Sequence, residues 1–222
     1  MRIVTNHRWK NIQLHSMQTP LKQHWESIYQ TKQPSEMSWT EDTPSVSLNF
    51  IRSFRLPKDA KIIDVGGGDS KLVDHLLSEG YTDITVLDIS SAAIERAKKR
   101  LGDKSNIVKW QATDILEFHP QVQYDLWHDR AAFHFQTDEE KIGKYVRLVK
   151  DAVKGKLIVG TFSVDGPKKC SGLEVHQYDE SSLKGKFESA SFKNILCKRE
   201  DHQTPSGAVQ NFLFCSFEKS AN

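Results

Sequence analysis

The stretch that most constrains the fold of this chain is Lys61–Ser70, which reads Lys-Ile-Ile-Asp-Val-Gly-Gly-Gly-Asp-Ser. Its apolar residues around Asp64 predict a short buried strand, and the apolar spacing from Leu72 to Leu77 predicts a helix directly afterwards. A strand that turns through glycines into a helix is the turn with which open α/β sheets receive a nucleotide. Glycine suits this turn because it adopts left-handed backbone angles and lets a ligand approach the main chain closely.

The order of residues in this turn argues against a dinucleotide and for a cationic ligand. A dinucleotide fingerprint ends on a third glycine, but Lys71 occupies that position when the pattern is counted from Gly66. Instead, Asp64 precedes the three glycines, Gly66, Gly67 and Gly68. A carboxylate at the strand end repels a pyrophosphate and suits an ammonium group. That description fits S-adenosylmethionine, whose amino-acid tail and sulfonium are cationic.

Two later acids also follow predicted strands. Asp88 lies near the end of the strand predicted over Asp83–Ser90, where acids accept hydrogen bonds from ribose hydroxyls in nucleotide-binding folds. Asp114 follows the strand predicted over Asn106–Ala112, and its carboxylate is placed to meet an adenine amino group. The structural alternative is that Asp64 is a turn residue and the two later acids are helix caps. The order of all three acids around the glycine turn favours the ligand interpretation.

These elements together resemble the successive cofactor motifs of the class I S-adenosylmethionine-dependent methyltransferases, over roughly Asp42 to Phe217. The resemblance implies S-adenosyl-L-methionine as the cofactor. It also implies an α/β fold: a doubly wound, seven-stranded, mostly parallel sheet (the Rossmann-like methyltransferase fold) with a C-terminal antiparallel hairpin. The expected cofactor contacts are Trp39, Asp64, Gly66, Gly67, Gly68, Asp88, Ile89, Asp114 and Ile115.

The remaining patterns predict the same architecture. Strands predicted at Tyr124–His128 and Gly155–Phe162 flank a helix predicted at Asp138–Val149, and this alternation is typical of a parallel sheet. Two strand-like runs follow, Ser191–Arg199 and Ala208–Phe217. The loop between them is too short for a helix, so we expect them to pair as an antiparallel hairpin.

Composition narrows the classes of partner. The 222 residues suffice for one α/β domain, and a net charge of +2 gives no reason to expect a nucleic-acid partner. The most basic run, Arg96–Lys104, also carries acids and is best explained as a solvated helix face. No apolar run approaches the ~18 residues of a membrane span. Three widely spaced cysteines, at positions 170, 197 and 215, predict reduced thiols in a cytoplasmic protein without a metal site.

The first 25 residues contain no acid, which permits an organelle presequence. The preferred interpretation is a disordered extension over residues 1–17, with Met17 as an alternative start. Residues 18–222 then form one domain, in which residues 18–41 are the N-terminal lid segment.

Aromatic residues of this lid segment have two interpretations. Trp25 and Tyr29 share one face of a predicted helix, and Trp39 follows about ten residues later. They either pack the helix on the domain or cover the cofactor, since an aromatic face attracts a sulfonium and excludes water. The pattern is similar to the N-terminal segment of several small methyltransferases, which makes Trp39 the expected contact.

The segment Trp127–Phe135 is the candidate substrate side, because ligands of open α/β sheets lie at the carboxyl ends of the strands. His128 and His134 are candidate bases, since free imidazole titrates near ~6.5. His134 has packing as its alternative. Asp129 either orients a histidine or binds the ammonium end of the cofactor. Arg130 either holds an acidic substrate group or forms a structural ion pair.

Trp127 followed by Asp129-Arg130-Ala131-Ala132 resembles the Trp-Asp-Arg-Gly-Ala segment of the thiopurine methyltransferase family. Small protein-lysine methyltransferases have a related Asp-Lys-Gly segment. The resemblance implies methyl transfer to a sulfur or nitrogen nucleophile of a small molecule. The alternatives are a protein lysine as acceptor and a non-catalytic protein that binds S-adenosylmethionine.

Overall fold

The computed structural model describes residues 19–220. The predicted extension over residues 1–17 and the alternative start at Met17 lie outside the described residues. Within residues 19–220, none of the helices is both long and apolar enough to cross a membrane.

Helices and strands alternate along most of the described chain. The helices are α1 (Pro20–Thr31), α2 (Ser45–Ser53), α3 (Leu72–Ser78), α4 (Ser91–Leu101), α5 (Glu139–Ala152) and α6 (Glu180–Glu188). The strands are β1 (Lys61–Val65), β2 (Asp83–Asp88), β3 (Lys109–Ala112), β4 (Tyr124–Arg130), β5 (Val153–Phe162), β6 (Lys169–Cys170), β7 (Leu173–Glu174), β8 (Phe192–Gln203) and β9 (Val209–Lys219).

Seven strands form one sheet in the order β3-β2-β1-β4-β5-β9-β8. Strands β1 to β5 are parallel, and β9 is antiparallel to both β5 and β8. The expected mostly parallel sheet with a C-terminal antiparallel hairpin is therefore confirmed. Strand order reverses around β1, whose neighbours are β2 and β4, so the crevice that such sheets use for ligands lies at the end of β1.

The core has two apolar layers, one on each face of the sheet. Successive residues of a strand point to opposite faces, so Ile62 and Leu126 pack in one layer while Ile63 and Trp127 pack in the other. All four side chains are fully buried. Burial on both faces explains the nearly continuous apolar runs of the central strands.

Some element boundaries differ from the sequence-based expectation. Strand β4 continues past His128 to Arg130, because parallel pairing with β5 persists to that residue. Strand β3 is shorter than expected, since a 3-10 turn occupies Gly102–Ile107 before it. Helix α6 was not predicted. Only Leu183 and Phe187 are buried in it, which is too few for a clear helical pattern.

The expectation of three reduced cysteines is wrong for two of them. Cys197 and Cys215 are register partners on β8 and β9 and form a disulfide. Their spacing along the chain could not reveal this, because pairing depends on the hairpin register. Cys170 is free and buried. The cytoplasmic location, which rested on three thiols, stays a prediction.

The end of β4 is tied to α5 through a buried polar chain. The indole N–H of Trp127 donates to the Tyr145 hydroxyl (3.1 Å), which donates in turn to Asp129 Oδ2 (2.5 Å). Asp129 Oδ1 accepts from the backbone N–H groups of Ala132 (2.9 Å) and Phe133 (3.1 Å). Burial raises the pKa of Asp129 to about 6, although these hydrogen bonds oppose the shift. The contacts hold the chain as it leaves the strand.

Replacement of Tyr145 by Phe tests this chain, because it leaves Asp129 Oδ2 and the Trp127 N–H buried without that partner. We expect a loss of ~1–3 kcal/mol in the free energy of unfolding, measured by urea titration. Tyr178→Phe is the matched control, since Tyr178 is equally buried and its hydroxyl has no hydrogen-bond partner among residues 19–220. Equal losses in both variants would contradict the assignment.

Candidate functional site

A cavity of about 680 Å³ opens at the carboxyl ends of β1, β2 and β4, where the strand order reverses. Pockets for small ligands commonly have ~300–1,000 Å³. The ends of β1 and β2, the first turn of α3 and the loop after β3 supply one side of its wall. Helix α1 and the segment after it supply the other side.

The glycine turn leaves no room for side chains. Gly66 and Gly68 have positive φ angles of 67° and 22°, which L side chains rarely adopt. A Cβ on Gly67 would lie 2.5 Å from Asp64 Oδ2, and a Cβ on Gly68 would lie 2.5 Å from Asp88 Oδ2. The turn therefore packs its bare backbone against two carboxylates. Gly66 and Gly67 line the cavity, whereas Gly68 is buried and does not.

The two carboxylate oxygens of Asp64 differ in their hydrogen bonding. Its Oδ1 lies 2.7 Å from His128 Nδ1, and His128 Nε2 lies 2.8 Å from Ser47 Oγ. Its Oδ2 is buried and has no hydrogen-bond partner among the described residues. Buried polar atoms are normally paired, so this oxygen, in the wall of the cavity, fits a cationic donor from a ligand.

Asp88 lies at the end of β2, next to Ile89, and both line the cavity. Burial raises the pKa of Asp88 to about 7, and the nearby charges of Asp64 and Glu26 add to the shift against an opposing hydrogen bond from the Ser90 N–H. The side chain that caps α4 is that of Ser90, not Asp88.

Asp114 caps a short turn and also lines the cavity. Its Oδ1 accepts from the N–H of Leu116 (2.9 Å) at the start of the 3-10 turn Ile115–Glu117. Ile115 is buried beside it in the cavity wall. The cap and the ligand interpretation are compatible here, because capping uses only one of the two carboxylate oxygens.

Aromatic rings cover one side of the cavity. The ring centroid of Trp25 lies 5.7 Å from that of Trp39 and 5.2 Å from that of Phe135, and Tyr29 lies 6.1 Å from Trp39. These four rings, which we call the aromatic roof, all line the cavity. The packing and the lid interpretations thus apply to the same residues.

Glu26 anchors the roof, and the sequence reasoning missed it. From α1, its carboxylate accepts from the backbone N–H groups of Ser91 (2.7 Å) and Ala92 (3.0 Å) and from the Ser90 hydroxyl (3.0 Å). Burial raises the pKa of Glu26, but these hydrogen bonds outweigh burial and bring the pKa below its ordinary value. The N-terminus of α4 carries partial positive charge, which favours this contact. The available signal was that Glu26 is the only acid in α1.

Arg130 lines the cavity but is already paired. Its guanidinium donates to the backbone oxygen of Trp39 (3.0 Å) and to Glu41 (3.0 Å), and it lies 4.8 Å from the ring centroid of Phe212. Glu41 also lies 3.1 Å from a ring nitrogen of His202. These contacts match the ion-pair alternative and attach the segment after α1 to the sheet.

Of the other substrate-side candidates, His128 lines the cavity, whereas Asp129 and His134 do not. Asp129 points to the opposite face of the sheet, towards α5, because it alternates with His128 along β4. His134 is fully buried, and its Nδ1 accepts from the Phe162 N–H (3.2 Å). Burial, helped by the charge of Arg130, lowers the pKa of His134 to about 3, so its imidazole is neutral at pH 7.

The chain is similar to known methyltransferases. Residues 63–154 match the family described as "Methyltransferase domain". A malonyl-[acyl-carrier protein] O-methyltransferase of Ilyobacter polytropus is 30% identical over 106 residues, which cover 47% of this chain and 39% of that protein. The eEF1A lysine and N-terminal methyltransferase of Mus musculus is 28% identical over 220 residues, covering 88% of this chain and 31% of that protein. The chain thus spans less than half the length of these two relatives.

The fold has close neighbours among solved structures. The 1,6-didemethyltoxoflavin-N1-methyltransferase of Burkholderia thailandensis, solved with 1,6-didemethyltoxoflavin and S-adenosylhomocysteine, superimposes with a TM-score of 0.70. The two sequences are 18% identical, and the match covers 90% of this chain and 88% of the other. At this identity the likeness concerns the fold.

Glu26→Ala tests the anchor of the aromatic roof. Removal of the carboxylate leaves the N–H groups of Ser91 and Ala92 without it, and we expect a stability loss of ~1–2 kcal/mol. Hydrogen exchange should accelerate in α1 while it stays unchanged in β1. Gln30→Ala, at an exposed position of the same helix, is the control. Unchanged exchange in α1 of the Glu26 variant would show that other contacts hold the helix.

Proposed function

We propose that this chain contains a class I S-adenosylmethionine-dependent methyltransferase domain, and that it transfers a methyl group to a sulfur or nitrogen nucleophile of a small molecule. The observation that carries the proposal is the cavity in which a bare glycine turn meets two buried carboxylates, one with an oxygen that has no hydrogen-bond partner within residues 19–220. These carboxylate acceptors suit a ligand that has an ammonium group at one point and hydroxyl groups at another.

In this proposal each predicted cofactor contact has a distinct task. Asp64 receives the ammonium group, Asp88 accepts hydrogen bonds from the ribose hydroxyls, and Asp114 meets the adenine amino group. The backbone of Gly66 and Gly67 lets the ligand lie close to the main chain, and Gly68 leaves room for the Asp88 carboxylate. The apolar contacts are Ile89, Ile115 and the aromatic roof, in which Trp39 faces the sulfonium.

The bound cofactor supplies a methyl carbon on a positively charged sulfur, and its leaving group needs no proton. The protein therefore mainly aligns the acceptor with that carbon and keeps water out, which is the task of the aromatic roof. His134 lies outside the cavity wall, and both ring nitrogens of His128 have protein partners. We therefore propose that a thiol or amine acceptor loses its proton in solution, without a histidine base.

The covered cavity favours a small acceptor over a protein side chain. Trp25 and Trp39 lie over it, and Cys170 of β6 also reaches its wall. A protein lysine is the second candidate acceptor, supported by the match of the mouse lysine and N-terminal methyltransferase along 88% of this chain. Asp42, at the cavity wall, has an exposed carboxylate that pairs with Lys71 (2.5 Å), so a lysine ammonium group of a substrate would compete with Lys71 for it.

Calorimetric titration with S-adenosylmethionine, S-adenosylhomocysteine and NAD tests the cofactor. We expect both sulfur nucleosides to bind and NAD not to bind. If neither S-adenosylmethionine nor S-adenosylhomocysteine binds, the proposal is overturned. Release of S-adenosylhomocysteine is then measured with thiols, small amines and lysine peptides. Turnover with peptides alone would favour the second candidate. Binding without turnover of any acceptor would indicate a non-catalytic protein that binds S-adenosylmethionine.

The pKa of Asp88 predicts how cofactor affinity depends on pH. Ribose hydroxyls donate to the ionised carboxylate, so a protonated Asp88 must first lose its proton for binding. With a pKa of about 7, the dissociation constant of S-adenosylhomocysteine should be about tenfold higher at pH 6 than at pH 8. Asp88→Asn should weaken binding at pH 8 and flatten this dependence. A slope that persists in the Asn variant would assign it to another group.

A further inference from the structure

We propose that His128 and Ser47 are positioning residues, which hold the Asp64 carboxylate in the orientation that receives the ammonium group of the cofactor. The inference rests on the proposed function and deepens it. It gives His128 a different task from the general base that its position at the end of β4 suggests.

The three side chains form one buried line across three elements. Asp64 on β1 and His128 on β4 are register partners of neighbouring parallel strands, so their side chains lie side by side on one face of the sheet. Ser47 reaches His128 from α2, which packs on the same face. The exposed fractions of the three residues are 2%, 3% and 1%, in the order Asp64, His128, Ser47.

The chemistry of the three side chains determines which atom donates in each of their two hydrogen bonds. An ionised Asp64 only accepts, so Nδ1–H of His128 donates to Oδ1 and the Ser47 hydroxyl donates to Nε2. If the imidazole is protonated, Nε2–H donates to the Ser47 oxygen instead and the contact with Asp64 remains. In either state His128 offers no unshared lone pair to an acceptor substrate. The imidazole is thus a support for Asp64.

The support matters because it decides which oxygen of Asp64 stays available. With Oδ1 held by His128, the unpaired Oδ2 lies against the glycine turn, 2.5 Å from the position of a Cβ on Gly67. A carboxylate fixed in this way binds a cation without losing further rotational freedom. Without His128 the carboxylate can rotate, and both of its oxygens lack that donor in a buried site.

The experiment compares three thioether ligands that share the adenosine part. S-adenosylhomocysteine has the amino group and the carboxylate, S-adenosyl-3-thiopropylamine has only the amino group, and 5′-methylthioadenosine has neither. We expect His128→Leu to weaken binding of both amino-containing ligands about tenfold or more, since a charge-assisted contact is impaired. Affinity for 5′-methylthioadenosine should change by less than about twofold.

Two further variants separate positioning from general loss of structure. In Asn the side-chain N–H₂ is as many bonds from the backbone as Nδ1 of His, so His128→Asn should keep a donor for Asp64 and restore most of the affinity. Ser47→Ala should cause a smaller, several-fold loss that is again confined to the amino-containing ligands. His134→Leu removes a buried histidine outside the cavity wall and should leave the ratio of affinities unchanged.

The outcomes distinguish this inference from the proposed function. If the unaltered protein binds none of the three ligands, the proposed function fails. If it binds them but His128→Leu weakens all three equally, the residue is merely structural and the inference is overturned. A parental affinity ratio in His128→Leu overturns it as well. If His128→Leu does not fold, the test uses Ser47→Ala. A parental ratio of the affinities for the amino-containing ligands and for 5′-methylthioadenosine in that variant overturns the inference.

Discussion

The close packing of the glycine turn against two buried carboxylates is the constraint on which the rest of the site depends. Any Cβ on Gly67 or Gly68 would meet an oxygen of Asp64 or Asp88 at 2.5 Å. Buried acids side by side are unfavourable, and burial accordingly raises the pKa of Asp88 to about 7. Strained or costly groups of this kind cluster at functional sites. A ligand with an ammonium group and hydroxyl donors would compensate this cost, which unites the geometry with the proposed cofactor.

The aromatic roof extends this site through charged anchors at its two ends. Glu26 attaches α1 to the first turn of α4, which begins just after Asp88. Arg130, the last residue of β4, donates a hydrogen bond to the backbone oxygen of Trp39. The aromatic roof is therefore connected to the carboxyl ends of β2 and β4, which we call the cavity floor together with that of β1. Ligand contacts with the floor and with the roof would support each other through these two side chains.

The two histidines of the substrate side show how one residue type acquires different tasks from its surroundings. His134 is buried among aromatic rings and is neutral, and its Nδ1 accepts a backbone hydrogen bond. His128 lies between an acid and a hydroxyl in the cavity wall. Neither presents a free nitrogen to the cavity, because both nitrogens of His128 are hydrogen-bonded and Nε2 of His134, which has no hydrogen-bond partner among the described residues, lies outside the cavity wall. Methyl transfer tolerates this arrangement, because its leaving group needs no proton and alignment dominates the chemistry.

Apolar periodicity and turn residues act over a few positions, so the sequence predicted the presence of β1 to β5, the glycine turn and the order of Asp64, Asp88 and Asp114. Which side chains meet depends on how distant segments pack in the folded chain. The partners Ser47 and His128 are 81 residues apart, and the hydrogen bond between the Ser91 N–H of α4 and Glu26 joins residues 65 apart. Strand length and register also decided that Asp129 faces α5 and that two cysteines pair. Local patterns do not reveal such contacts, because they do not define the register between paired strands. A shift of that register by one residue turns every side chain of a strand to the other face of the sheet.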